Sequence, residues 1–254
     1  NPDGSHGTHT TGTAAGSYRD NGYHGVAPEA SLVIAAMPDS ALTDVNSANA
    51  VRYIFDYATR AGLPAVVNLS LASHDGAHDG TSALCRALDA MSGPGRICVL
   101  SAGNDGLRRM HLGRTFSTDN DTLRTCLASY TASDGTVRGY ISLWNRSHQP
   151  HTLRLAVVDR NNAGTAVWRS PLITPLDADS VFSLNAVNDP ELAQYIDGEL
   201  QLANAVEDNG LYHTLIEVDM KSTATHYCLA LDVTAPAGTR FDAWADGSLL
   251  FRPG

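Results

Sequence analysis

Two histidines open the chemically informative part of the chain. Ser5-His6-Gly7-Thr8-His9-Thr10-Thr11-Gly12 sets them three residues apart at the start of a stretch that reads as helix. At that spacing both imidazoles lie on one helix face, where they could ligate a metal or move protons. A zinc-peptidase helix spaces its histidines by four with a glutamate between them, and neither feature is present. The flanking Gly7 and Gly12 instead permit another backbone to approach closely, as an imidazole acting as general base at a helix start requires. A second polar cluster, His74-Asp75-Gly76-Ala77-His78-Asp79, repeats a His-Asp pair and reads as a polar loop rather than a cation site. The cysteines Cys85, Cys98, Cys126 and Cys228 contain no C-x-x-C pair, which argues against a zinc knuckle. Cys98, in Ile97-Cys98-Val99-Leu100, reads as a small buried hydrophobe, while a Cys126–Cys228 bridge stays open.

The elements that must position these groups follow two different grammars. Up to about residue 106, residues 6–16 are small and polar, as in a helix pressed against a sheet. Ser31 to Met37 is an unbroken apolar run between Pro28 and Pro38 and predicts a buried strand. Val45, Ala48, Val51, Ile54, Phe55 and Ala58 recur at helical spacing from Asp44 to Ala61, stopped by Gly62 and Pro64. Ala65 to Leu71 predicts a second buried strand, and Thr81 or Ser82 caps a helix over Ala83 to Met91. Arg96 to Ser101 predicts a third buried strand. This alternation implies a parallel sheet with flanking helices, an α/β arrangement.

From about residue 120 the pattern becomes all-β. Apolar and polar residues alternate over 139–144, 152–158, 181–184, 200–202, 212–218, 227–233 and 241–244, with turn residues between, and only 190–196 suggests a helix. Seven or more short strands at this spacing predict an antiparallel β-sandwich. Trp144, Trp168 and Trp244 fall on these strands, where packing is the expected role and sugar stacking the alternative.

Composition bounds the function class. The 254 residues carry 17 Lys+Arg against 27 Asp+Glu, a net charge of −10, and Lys221 is the sole lysine. An acidic chain lacks the concentrated basic surface that nucleic acid demands, so no nucleic-acid partner is expected. No apolar run approaches the roughly 18 residues of a membrane-spanning segment. With 43% hydrophobic and 17% charged residues the chain is globular, not disordered or fibrous.

Four segments, in order, resemble the subtilisin-like serine proteases (subtilases, peptidase family S8). His6-Gly7-Thr8-His9-Thr10-Thr11-Gly12 is similar to their histidine motif, and Gly25-Val26-Ala27-Pro28-Glu29-Ala30 to the turn that follows it. Asn68-Leu69-Ser70-Leu71 resembles their substrate-binding strand, and Ser101-Ala102-Gly103-Asn104-Asp105-Gly106 their oxyanion segment. The resemblance implies His6 as general base and Asn104 as oxyanion donor. It implies Ser70, Leu71 and Ala72 as one wall of the specificity pocket and Ser101, Ala102 and Gly103 as the other. Ala72 replaces the family's glycine and narrows that pocket. His9 is implied to be a hydrogen-bonded core histidine, and Asp105 a solvated loop carboxylate or a selector of basic side chains.

The departures are equally specific. The family's triad aspartate would precede residue 1, because Asp3 lies too near His6 and lacks the expected strand. Gly80-Thr81-Ser82 mimics the nucleophile motif but precedes Asn104 and lacks the following proline, so it is expected as a helix cap. The serine would follow residue 254. Residues 1–106 are therefore expected as a partial catalytic domain, 107–120 as a connector, and 121–254 as an inserted jelly-roll-like sandwich. Arg108, Arg109, His111 and Arg114 in the connector either contact substrate or are solvated.

No metal or cofactor is expected. Asp20 and Asn21 offer oxygen ligands for calcium in the loop from Ser17 to His24, but Arg19 disfavours it. The expected function is a fragment of a secreted or cell-envelope serine endopeptidase acting on polypeptides, inactive by itself. The alternative is a non-catalytic subtilisin-like scaffold whose jelly roll binds glycan or protein. Self-association through the incomplete sheet is a further expectation.

Overall fold

The computed structural model describes residues 5–20, 22–119, 121–129, 134–162, 164–175, 180–221, 226–247 and 249–253. Contacts divide the chain into two compact units, Asn1–Ala72 with His78–Gly103, and Ser73–Ala77 with Asn104–Gly254.

In the first unit, helix α1 (Ser5–Ala15) carries the histidine motif, and among its described side chains only Ala15 is buried. Its last carbonyls are capped by the segment that follows. The N–H groups of Gly25, Val26 and Ala27 donate to Gly16, Thr13 and Ala14 at 2.8, 3.1 and 2.8 Å. Gly25 is required there, because a Cβ would lie 2.3 Å from the Gly16 nitrogen. Helix α2 (Asp44–Ala61) starts at Thr43, whose side chain accepts the Asn46 N–H, and ends at Gly62 in the left-handed region at φ 70°. Its buried stripe of Val51 and Phe55 packs with Val67 of β1 (Ala65–Leu69) and Leu88 of α3 (Ala83–Met91). Ser82 caps α3 by accepting the Cys85 N–H at 3.2 Å, as its position predicts. Strand β2 (Arg96–Leu100) runs parallel to β1 with Val67 opposite Cys98.

Two expectations for this unit fail. The apolar run from Ser31 to Met37 forms no strand, and Leu32 and Ile34 are exposed. A strand needs a ladder partner, and none pairs with this run among the described residues. Strands β1 and β2 are covered on one face only: Val66, Ile97 and Val99 are exposed, because both helices of the cluster pack on the opposite side. Cys98, opposite Val67 on the covered face, is half-buried rather than fully enclosed.

The second unit is antiparallel throughout its named strands. In chain order these are β3 (His111–Thr115), β4 (Asp121–Ser129), β5 (Thr136–Asn145), β6 (Thr152–Asp159), β7 (Thr165–Arg169), β8 (Ser180–Asn185), β9 (Gly198–Val206), β10 (Tyr212–Lys221), β11 (Tyr227–Ala235), β12 (Arg240–Gly247) and β13 (Leu249–Pro253). They form a six-stranded sheet, β3-β12-β5-β10-β9-β8, and a five-stranded sheet, β13-β4-β11-β6-β7. Alternation along each strand sends one set of side chains into a core shared by both sheets. Leu153, Leu155 and Leu231 from the smaller sheet meet Ile141, Leu202, Ile216 and Phe241 from the larger. Each such side chain, fully buried, contributes about 1.5–3 kcal/mol. All seven predicted strand segments are present; the suggested helix at 190–196 is a short 3-10 turn, Leu192–Gln194. Strand β3 falls within 107–120 and pairs with β12. Cys126 and Cys228 form no disulfide with one another and flank Ala156, Val158 and Ala230 on the outer face of the smaller sheet.

Among the core residues stands one imidazole. His151 is 3% exposed, sits edge-on to Phe241, and its Nδ1 accepts from the Asn145 amide at 3.0 Å. Burial pushes its pKa down from 6.5 to about 4. The unfolded chain therefore takes up this proton at higher pH than the folded one. Its contribution is complete above pH 6.5 and is lost as pH falls from 6.5 to about 4, by up to about 3 kcal/mol. Urea unfolding at pH 7 and pH 4.5 is expected to show this loss in the native protein and a smaller one in His151→Leu, where Asn145 keeps its bond to Gln149.

Candidate active site

The site is built on the parallel pair. Leu69 lies opposite Leu100, so the segments that follow leave the sheet side by side. The Ser101 N–H donates to the Leu69 carbonyl at 3.1 Å, and its hydroxyl donates to the Leu71 carbonyl at 2.8 Å. Gly103 has φ 83°, and a Cβ there would meet the Ala72 Cβ at 3.5 Å. Ser70, Leu71 and Ala72 are thereby brought against Ser101 and Gly103, and Leu71, Ala72, Ser101, Ala102 and Gly103 are all exposed. Two exposed backbone segments side by side present polar groups that an extended peptide can pair with.

His6 joins this pair. It is exposed on the first turn of α1, and its Nε2 lies 3.1 Å from the Ser70 carbonyl. A carbonyl only accepts, so Nε2 donates and the neutral ring keeps its Nδ1 lone pair. The imidazole is thus anchored at the end of the strand where a substrate backbone would run.

The other predicted residues divide. His9 is exposed, not a core histidine, because no layer covers that face of α1. Ser82 is a cap, and its hydroxyl makes no hydrogen bond to His6 among the described residues. Asp3 and Asn21 lie outside the described residues, and Asp20 is exposed. Asn104 belongs to the second unit, is exposed, and its side-chain amide has no hydrogen-bond partner among the described residues.

Its neighbour Asp105 differs from expectation. The carboxylate accepts from His74 Nε2 at 3.0 Å and from Arg108 at 2.9 Å. Those hydrogen bonds, His74 first, hold its carboxyl below the usual carboxylate range. Its charge is met within the second unit by two basic side chains while the carboxylate stays 27% exposed, so it is a partly solvated group held by His74 and Arg108. Three of the four basic connector side chains are engaged: Arg108 with Asp105, His111 with Asp242 and Arg114 with Asp121. Arg109 is exposed and makes no side-chain hydrogen bond or ion pair among the described residues. No group of three or more His, Cys, Asp or Glu side chains converges for a metal among the described residues. Nor is any helix among them long and apolar enough to cross a membrane.

Comparison with known proteins decides the family. The sequence model of the Subtilase family matches residues 1–242. The chain belongs to the subtilase family. This subtilase chain is 37% identical over 107 residues to Subtilisin DY of Bacillus licheniformis, a match covering 42% of the chain and 36% of that protein. Its fold is like that of the Clostridium perfringens CspB protease, with a TM-score of 0.71 at 18% identity, over 98% of this chain and 51% of that one. It thus spans about a third of the curated relative and about half of the solved structure.

The subtilase chain also holds a constellation that no local motif announces. On the outer face of the larger sheet, Ser142 Oγ lies 2.9 Å from His213 Nε2, and His213 Nδ1 lies 2.8 Å from Glu207. Serine, imidazole and carboxylate are in the order of a hydrolase triad. Ser142 is nevertheless 0% exposed, its oxygen accepts the Trp144 indole N–H at 2.8 Å, and His213 stacks on Trp144 at 4.2 Å. A peptide carbonyl has no exposed oxygen to meet, so this is a structural network. These residues come from two strands and a turn, and only the cross-strand register could have revealed them. Ser142→Ala leaves the buried indole N–H unpaired and is expected to lower stability by about 1–3 kcal/mol in urea titrations. A fluorophosphonate probe followed by peptide mapping is expected to leave both Ser142 and Ser82 unlabelled.

Proposed function

We propose that this chain carries the histidine and oxyanion parts of a serine endopeptidase that hydrolyses peptide bonds in polypeptides. The observation that carries this reading is the 3.1 Å contact between His6 Nε2 and the Ser70 carbonyl. It holds a potential general base against the segment that would pair with substrate. In this reading His6 takes the proton of a nucleophilic serine and returns it to the leaving amine. The unpartnered, exposed amide of Asn104 suits an oxyanion donor. Ser70, Leu71 and Ala72 form one wall of the specificity pocket, and Ser101, Ala102 and Gly103 the other.

The organisation that goes with it is a partial catalytic domain over 1–106, a connector over 107–120 and an inserted jelly-roll-like sandwich over 121–254. Two antiparallel sheets around one core support the sandwich. Family likeness favours a secreted or cell-envelope location. The exposed face of β1 and β2 supports self-association of the isolated chain.

No serine hydroxyl bonds to His6 among the described residues, so the 254-residue chain is inactive by itself in this reading. The purified chain is expected to turn over no peptide substrate. An enzyme completed with the triad aspartate and serine is expected to cleave. There, His6→Ala lowers kcat by about a million-fold, the loss typical of a triad residue in this family. Asn104→Ala lowers it by about 10²–10³, again the scale typical of this family's oxyanion donor. Turnover by the chain alone, or a completed protein that binds but never cleaves, overturns the proposal.

A further inference from the structure

The outer face of the five-stranded sheet is built in cross-strand rows. Thr122, Thr234 and Thr152 lie opposite one another on β4, β11 and β6, and Arg124, Asp232 and Arg154 form the next row. In the third row Cys126, Ala230 and Ala156 lead to Arg169 on β7. Small residues form the floor of that third row, with guanidinium groups beside it. The first two rows line a concavity of about 640 Å³ together with Arg169 and Leu172. A second concavity of about 490 Å³ shares Thr152 and Thr234 with it and continues toward Pro236 and Asp119, whose carboxylate accepts the Ala237 N–H at 3.0 Å.

The charges on this face do not balance. Asp232 is 9% exposed, and Arg124 grips both its oxygens, Nε to Oδ1 and Nη2 to Oδ2, each at 2.6 Å. Arg154 lies opposite the same aspartate but makes no ion pair or hydrogen bond among the described residues, and its Nε is buried without a partner. Arg169 is exposed and equally unpaired among the described residues. Arg154 is half-buried and lines the hollow with no counter-charge of its own, so a carboxylate entering the hollow would supply one. Two open guanidinium forks beside threonine hydroxyls suit carboxylates.

We propose that this face binds an extended acidic peptide. Its carboxylates would be held in the first concavity by Arg154 and Arg169, and its chain would run along the threonine row, with uncharged residues in the second concavity beside Asp119. The two joined hollows favour a chain over a single small anion. A peptide is favoured over an acidic glycan because neither hollow presents a Trp, Tyr or Phe on which a sugar ring could stack. The site lies wholly in the second unit and does not depend on the peptidase reading.

Fluorescence anisotropy with the full chain and a labelled peptide of alternating Glu and Ser tests this. Saturable binding is expected, stronger at low ionic strength, and absent for the matching Gln–Ser peptide. Arg154→Gln and Arg169→Glu each weaken it by about ten-fold or more, the scale of one lost charge-assisted hydrogen bond. Arg138→Gln, which removes a positive charge from the other sheet, leaves it unchanged. Arg169 is exposed, so its variant keeps the test decisive if Arg154→Gln does not fold. Absent binding, equal binding by both variants, or equal binding of the Gln–Ser peptide overturns the proposal. So does full displacement by inorganic phosphate at concentrations equal to the peptide, or binding of polygalacturonate in place of the peptide.

Discussion

The register of two short parallel strands governs everything in the first unit. Val67 is buried against Val51, Phe55 and Leu88, and a slip of one residue would turn it to solvent and bring Val66 inward. That packing depends on α2, whose ends are set by the Thr43 cap and the left-handed Gly62. With the register fixed, Leu69 faces Leu100, and Ser101 can reach the carbonyls of both Leu69 and Leu71. Only then does the Ser70 carbonyl stand where His6 can donate to it. A capping threonine is therefore linked, through one helix and one valine, to the position of an imidazole 37 residues earlier in sequence.

In the second unit the same alternation produces two kinds of surface. Strand β5 sends Ile141 and Leu143 into the shared core and Ser142 and Trp144 to the outer face, where Ala77 and Leu211 cover the indole. Strand β6 sends Leu153 and Leu155 inward and Thr152 and Arg154 outward. The first outer face closes into a satisfied network of Ser142, His213 and Glu207. The second stays open and charged.

What could be read from the sequence was what is local. The helix over 44–61, the cap at Ser82 and the seven alternating segments each declare themselves within a few residues. Strand β3 escaped because His111-Leu112-Gly113-Arg114-Thr115 mixes charge and glycine, as an edge strand tolerates. Strand β4 escaped because Thr125, 1% exposed, sits in the core where a hydrophobe was expected. The run from Ser31 to Met37 has strand composition but no partner, and composition alone cannot supply one. The contiguous His6, Ser70 and Ser101 segments were legible as motifs. Ser142 with His213, and Arg154 with Arg169, were not, because register assembles them from separate strands.

The two aspartates at 232 and 242 show how placement, rather than composition, decides what a charge does. Asp242 receives Arg240 at 2.6 Å, His111 at 3.0 Å and Arg146 at 3.3 Å. Burial would raise its pKa, but these hydrogen bonds and charges outweigh it and keep the carboxyl below its ordinary value. Asp232 has cations on both flanking strands, yet Arg124 takes both oxygens in one planar fork and leaves Arg154 out. Gly113 makes the first arrangement possible, since a Cβ there would lie 2.5 Å from the Arg240 guanidinium and 2.8 Å from the Asp242 carboxylate. One sheet thus gathers two arginines and a histidine around one carboxylate. The other spends its anion on a single arginine, and in a chain of net charge −10 that leaves two arginines turned toward whatever acidic group arrives from outside.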